Sequence, residues 1–149
     1  MDWRKLKVYL ERNFELKEIR FYQSLKKRDG GTRNFVQRLK KLGFKVFTKP
    51  LKKIKTEEEN LIFKANFDVE MTADVLLNID NKDCDVFILF TGDSDFEYLV
   101  KILHKLYKKC FVFSSRKTLS WELKMIADRY FFLEDIKRSI YRKKWGLDK

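Results

Sequence analysis

Residues 86–96, Val-Phe-Ile-Leu-Phe-Thr-Gly-Asp-Ser-Asp-Phe, decide the fold of this chain. The continuous apolar run from Val86 to Phe90 is typical of a strand that is covered on both faces, as in a parallel sheet. A loop follows, in which Gly92 lets the chain turn sharply. Asp93 and Asp95 therefore come directly after the carboxyl end of a buried strand, where α/β proteins form their ligand sites.

On either side of this stretch, predicted strands alternate with predicted helices. The further strands are Glu18–Ser24, Phe44–Lys49, Leu61–Lys64, Cys110–Phe113 and Tyr130–Leu133. The helices are Trp3–Arg12, Arg33–Lys41 with Thr32 as its cap and Gly43 at its end, Asp68 to about Ile79, the segment after Phe96, Leu119–Ala127 and Glu134–Lys143. Lys52 to Glu59 is predicted to be a mobile loop. The alternation predicts one α/β domain over residues 1–149, with a mainly parallel sheet flanked by helices.

Composition narrows the class of protein. With 149 residues, 44% of them hydrophobic, the chain can bury a core without disulfides and is not a disordered polymer. The two cysteines show no metal-binding spacing, and with a single histidine they do not predict a zinc site. The longest apolar run is far too short to cross a bilayer, and the charged N-terminus does not resemble a signal peptide. We therefore expect a cytoplasmic protein that does not bind a membrane.

Charge is distributed unevenly along the chain. Residues 1–55 carry 18 basic and 5 acidic side chains, and residues 98–149 carry 14 basic and 5 acidic ones. Residues 56–97 carry only 2 basic and 12 acidic side chains. Two basic arms around an acidic middle suit a polyanion held beside a cation. The alternative interpretation is a lysine-rich surface that is merely solvated.

The acidic residues of the middle segment predict a metal site. Asp68 directly precedes a helix, so it should lie at the same sheet edge as Asp93 and Asp95. Carboxylates gathered in this way repel each other unless a cation lies between them, and a hard cation such as Mg²⁺ or Mn²⁺ suits oxygen ligands. Each of the three could instead be only a helix cap. Asp74 lies about 240° around the helix from Asp68, so simple helical geometry does not bring the two together.

These motifs together resemble those of a known family. Lys64-Ala-Asn-Phe-Asp68-Val, Asp74, Thr91-Gly-Asp93-Ser-Asp95-Phe96 and Ser115-Arg-Lys-Thr-Leu-Ser-Trp-Glu-Leu123 are similar to segments of the NYN domain, a branch of the PIN-like nucleases. The similarity covers roughly residues 2–136. It implies a Rossmann-like, three-layer fold and metal-dependent RNA cleavage. The acidic positions that match are Asp68, Asp74, Asp93 and Asp95.

From this resemblance follow the roles expected of individual residues. Asp93, Asp68 and Asp95 would bind Mg²⁺ or Mn²⁺, and Asp74 would be a fourth catalytic residue. Three basic residues would contact RNA phosphates: Lys64, Arg116 and Lys117. The leading hypothesis is a metal-dependent endoribonuclease, and the rival is a non-catalytic RNA-binding or interaction module. A small-molecule phosphohydrolase is a weaker third. The oligomeric state is left open, with a homodimer as one option.

One family feature has no counterpart in the sequence. Members normally begin with an apolar strand that carries an Asp, whereas this sequence resembles the family only from the segment after that strand. Without this strand, the domain should have impaired nuclease activity and should be less stable than a typical domain. Otherwise it should close the gap by pairing Glu18–Ser24 with Val86–Phe90, or take a strand from a partner.

Overall fold

The computed structural model describes residues 1–26, 29–55, 61–64, 66–80 and 82–141, with the side chains of 53–55 and 61–64 outside the description. The helices are α1 (Trp3–Asn13), α2 (Gly30–Lys41), α3 (Asp68–Leu77), α4 (Glu97–Lys105), α5 (Trp121–Ile126) and α6 (Lys137–Ile140). The strands are β1 (Arg20–Leu25), β2 (Lys45–Pro50), β3 (Lys52–Lys55), β4 (Leu61–Lys64), β5 (Val86–Phe90), β6 (Lys109–Ser114) and β7 (Arg129–Phe132). None of these helices combines the length and apolarity needed to cross a bilayer.

The predicted α/β class is confirmed, because parallel strands pack against helices. Within the described residues, however, the strands form three sheets rather than one: β1–β2 parallel, β3–β4 antiparallel and β5–β6–β7 parallel. The suggested pairing of Glu18–Ser24 with Val86–Phe90 is wrong. Arg20 to Leu25 instead pairs in register with Lys45 to Pro50. The interpretation of residues 1–149 as one domain stays a prediction.

Several element boundaries differ from those expected. Lys52–Lys55, predicted as part of a mobile loop, is a strand that pairs with Leu61–Lys64, while residues 56–60 lie outside the described part. Asp29 rather than Thr32 caps α2, because the Asp29 carboxylate accepts the Thr32 amide at 3.0 Å. The predicted terminal helix is confined to Lys137–Ile140, and residues 142 and 143 lie outside the described part.

Residues 13–67 form one compact unit. Phe21 of β1 contacts the rings of Phe35 and Phe44 at centroid distances of 5.8 and 6.5 Å. Gly43 ends the preceding helical segment at φ 88°, in the left-handed region that favours glycine. Aromatic packing around a two-stranded parallel ladder therefore holds this unit together.

Residues 1–12 and 68–149 form the second compact unit. Its central strand, β6, pairs with a strand on each side, and four of its six residues are apolar and buried. Leu99, Val100 and Leu103 of α4 belong to the same core as Val112 of β6. Because all three strands run parallel, their carboxyl ends meet at one edge, and the segments that follow β5 and β6 meet there too.

Candidate metal centre

The aspartates after β5 are positioned by a short turn. The Asp93 amide donates to Thr91 Oγ1 at 3.2 Å, and Asp93 Oδ1 accepts the Asp95 amide at 3.0 Å. Asp93 is thereby the cap of a 3₁₀ turn over Ser94–Phe96, whose Phe96 is buried. The cap interpretation and the ligand interpretation are thus compatible, since capping fixes the side chain without burying it: Asp93 and Asp95 are both exposed.

Asp68 joins these two residues in space. It is the first residue of α3, which packs against the 3₁₀ turn, and it is partly buried. Each of Asp68, Asp93 and Asp95 offers one carboxylate oxygen, and the three oxygens lie within 4.8 Å of one another. Two unit negative charges at such a distance repel by about 1 kcal/mol even in water. A set made only of carboxylate oxygens fits a hard divalent cation such as Mg²⁺ or Mn²⁺.

Gly92 fixes where this turn lies. The Ser120 amide donates to the Gly92 carbonyl at 2.9 Å, so the loop after β6 is joined to the loop after β5. A Cβ at position 92 would overlap the Thr118 carbonyl oxygen and lie 2.7 Å from Ser114 Oγ. The Gly92 φ is not in the left-handed region, so the turn here does not depend on a positive φ. The site needs glycine at this position for space.

The predicted fourth carboxylate is not part of this group. Asp74 lies in the middle of α3, where its backbone carbonyl accepts the Asn78 side-chain amide at 2.7 Å. The group of three oxygens within the described residues does not include it. This agrees with the helical geometry, which separates Asp74 from Asp68 by about 240°.

The predicted phosphate-binding residues have different environments. Arg116 Nη2 lies 2.5 Å from Asp135 Oδ1, and the guanidinium stacks over Phe132 at 4.2 Å. The Arg116 amide also donates to both Glu134 carboxylate oxygens at 3.2 Å, so this arginine anchors its own loop. Lys117 is exposed. Lys64 ends β4, and its side chain lies outside the described part of the chain.

A polar cluster that sequence reasoning missed lies around Asp128. Asp128 Oδ2 lies 2.8 Å from His104 Nε2 and accepts the Cys110 amide at 2.8 Å, while the Asp128 amide donates to the Cys110 carbonyl at 3.0 Å. Burial acts to raise the pKa of Asp128, but hydrogen bonds from Cys110 and His104 hold it below its ordinary value of 3.8. The only sequence signal was Asp128 itself, placed after a helix; nothing local connected it with His104.

Cys110 lies on the core side of this cluster and is fully buried. Burial, and secondarily the Asp128 carboxylate, raise the pKa of its thiol to about 12. A thiol of that pKa is almost entirely protonated at neutral pH and is a poor nucleophile. The cluster is therefore structural.

Comparison with known proteins places the chain in a family. The NYN domain model matches residues 1–134. The low amplitude and bright protein LabA of Synechococcus elongatus is 34% identical over 110 residues, a match that spans 72% of this chain and 58% of that protein. The crystal structure of a protein of unknown function from Vibrio parahaemolyticus is similar with a TM-score of 0.74 and 27% identity, covering 90% of this chain and 79% of the other. A family model that matches residues 1–134 and a relative that is 34% identical over 72% of this chain lead to one conclusion: the chain belongs to the NYN domain family.

Proposed function

We propose that this chain is a metal-dependent ribonuclease domain that hydrolyses RNA phosphodiester bonds at Asp68, Asp93 and Asp95. The observation that carries the proposal is the convergence of their three carboxylate oxygens within 4.8 Å. Membership of the NYN family and the basic arms of the chain support an RNA substrate. In this proposal, residues 1–149 act as one NYN domain.

The chemistry follows from the donor set. A bound Mg²⁺ or Mn²⁺ would supply Lewis acidity to a phosphoryl oxygen and lower the pKa of a water molecule. Asp93 would hold the ion directly, with its side chain oriented by the Asp95 amide at 3.0 Å. Asp68 and Asp95 would complete the set. Asp74 would act at most indirectly, because it lies outside the group of three.

The first prediction is that Asp93→Asn lowers Mn²⁺ affinity strongly without unfolding the chain. Asparagine keeps an oxygen for the Asp95 amide but removes one of the negative charges that attract the ion. Calorimetric titration of Mn²⁺ into both proteins, followed by cleavage assays on single-stranded RNA, measures the effect. Asp80→Asn, at an exposed aspartate outside the group of three, is the matched control. Equal affinity of Asp93→Asn and the wild type would contradict the assignment.

A second candidate is a non-catalytic RNA-binding module that kept the fold. The observation that favours it is exposure: Asp93 and Asp95 are exposed and only Asp68 is partly buried, so the site excludes little water. The two candidates make opposite predictions with EDTA. A nuclease loses RNA cleavage in the chelator, whereas a binding module shows no cleavage and keeps its RNA affinity.

A further inference from the structure

Large aromatic side chains are exposed on the helices that follow β5 and β6: Tyr98 of α4 at 69% and Trp121 of α5, the more exposed of the two, at 72%. Trp121, the first residue of α5, is 72% exposed, and Met125, one helical turn later, is 76% exposed. The opposite face of α5 is anchored, because Leu123 is fully buried and the Ser120 side chain caps the helix through the Leu123 amide at 3.3 Å. Trp121 and Met125 share one face of the helix and form an apolar surface of two residues. Because the buried side of the helix is formed by Leu123, the indole is exposed and contributes little to the core.

The position of this indole is set by the contact that fixes Gly92. Ser120, which precedes Trp121, donates its amide to the Gly92 carbonyl at 2.9 Å, and Asp93 follows Gly92. Successive Cα atoms are about 3.8 Å apart, so the Cα atoms of Trp121 and Asp93 lie on the order of 10 Å or less from each other along this connection. An RNA whose phosphate reached the carboxylate group would thus pass close to the start of α5, the helix that carries the exposed indole.

The charges around Trp121 favour a polyanion over an apolar protein partner. Lys117 is exposed in the loop before α5, and Lys124 lies one turn after Trp121 with its Nζ 5.3 Å from the Tyr130 ring. Glu122 is the acidic neighbour on the helix. An exposed aromatic ring flanked by lysines is the arrangement with which proteins bind single-stranded nucleic acid, through base stacking and backbone contacts.

We propose that Trp121 is a stacking platform for an unpaired RNA base next to the phosphate at the candidate metal centre. The proposal rests on the proposed RNA substrate and adds a specificity to it. A base inside a duplex is already stacked on both faces, so the platform favours single-stranded RNA. Lys117 contributes the accompanying phosphate contact.

Binding of a short labelled oligouridine strand, measured by fluorescence anisotropy in EDTA, tests the platform without the metal. Trp121→Ala should weaken Kd by about 5- to 100-fold, the range for loss of one stacked base. Trp121→Phe should fall between the wild type and Trp121→Ala. The dependence of Kd on salt should be the same for Trp121→Ala as for the wild type, because a ring removes no phosphate contact.

Tyr107→Ala is the matched control, since Tyr107 is 96% exposed and precedes β6, at the sheet edge opposite to the aspartates. Wild-type Kd in Trp121→Ala, or absence of RNA binding by the wild type, overturns the proposal. It is also overturned if Trp121→Ala reduces only self-association in sedimentation, because the surface then belongs to a protein interface. If the chain cleaves RNA with Mn²⁺ but Trp121→Ala does not change the Kd for RNA, the stacking proposal alone is contradicted. If RNA binding depends on Trp121 but no RNA is cleaved, the proposed nuclease activity alone is contradicted.

Discussion

At the scale of single residues, the position of the three aspartates of the candidate metal centre depends on the absence of a Cβ atom at Gly92. The Gly92 carbonyl accepts the Ser120 amide at 2.9 Å, and the Thr118 carbonyl occupies the place of a side chain. This contact lets the loop after β6 rest directly on the loop that carries Asp93. The carboxylates are thus placed by backbone packing as well as by their own hydrogen bonds.

Gly92→Ala is expected to destabilise the chain by about 1–3 kcal/mol, because one loop must move to admit the methyl group. It should also weaken Mn²⁺ binding, since Asp93 moves with its loop. Urea denaturation and calorimetric titration measure the two effects. Gly30→Ala is the control, because a Cβ at that position meets nothing within 4 Å. A Gly92→Ala protein as stable as Gly30→Ala would show that the contact carries no constraint.

Single residues also show how far the sequence could predict the site. The grouping of Asp68, Asp93 and Asp95 was predictable because each adjoins a strand end or helix start at one sheet edge. The pairing of His104 with Asp128 was not, because the two residues lie 24 positions apart and only the packing of α4 beside β6 joins them. The Arg116–Asp135 ion pair was also missed, because its two residues are far apart in the sequence. Periodicity predicts which face is buried, but not which polar side chains meet.

At the scale of elements, Asp128 connects three parts of the second unit. Its carboxylate contacts His104 of α4 and the amide of Cys110 in β6, and the residue itself lies immediately before β7. The connection is made at the amino end of β6, away from the aspartates after β5. Asp128 therefore stabilises the edge opposite to the candidate metal centre.

Asp128→Asn should lower the free energy of unfolding at neutral pH by about 1–3 kcal/mol, the loss of charge-assisted hydrogen bonds. Because the pKa of Asp128 is lowered in the folded chain, its contribution is present above the ordinary value of 3.8 and is lost as pH falls further. The difference between wild type and variant should therefore narrow in acid. Urea titrations at several pH values check this, and a difference that grows below pH 4 would contradict it.

Elements differ in how well the sequence indicates them. Val86–Phe90 was predicted with both bounds correct, because a continuous apolar run between polar turns has few alternatives. Lys52–Lys55 was predicted as part of a loop because three of its four residues are lysines. It is nevertheless a strand, which pairs with Leu61–Lys64. Phe44–Lys49 was predicted as a strand that ends before Pro50, whereas β2 includes Pro50, and the Leu51 amide after it donates to the Leu25 carbonyl at 3.0 Å.

At the scale of the whole molecule, the distribution of charge along the chain is the feature that bears on RNA binding. The chain carries a net charge of +12 although residues 56–97 are strongly acidic. Three of those acidic residues form the candidate metal centre. A basic protein with a local acidic site attracts a polyanion and a divalent cation together.

RNA affinity is accordingly expected to fall steeply with salt. Lys117→Glu should reduce the slope of log K against log salt by about 0.7 or more, since each phosphate contact on a single strand contributes that amount. Arg116 should contribute less, because its guanidinium is paired with Asp135. Lys105→Glu, at an exposed position at the far end of α4, is the control. A slope unaltered by Lys117→Glu would favour a merely solvated lysine surface.

Because Cys110 is buried, the rate at which its thiol is chemically modified can report how often the core opens. Its thiol has no exposed surface and a pKa of about 12, whereas Cys84 is only half-buried. A thiol-specific reagent should modify Cys84 quickly and Cys110 only when β6 separates from α4. The rate at Cys110, followed by mass spectrometry, then gives the frequency of core opening under native conditions. Equal rates at the two cysteines would mean that this core opens almost freely.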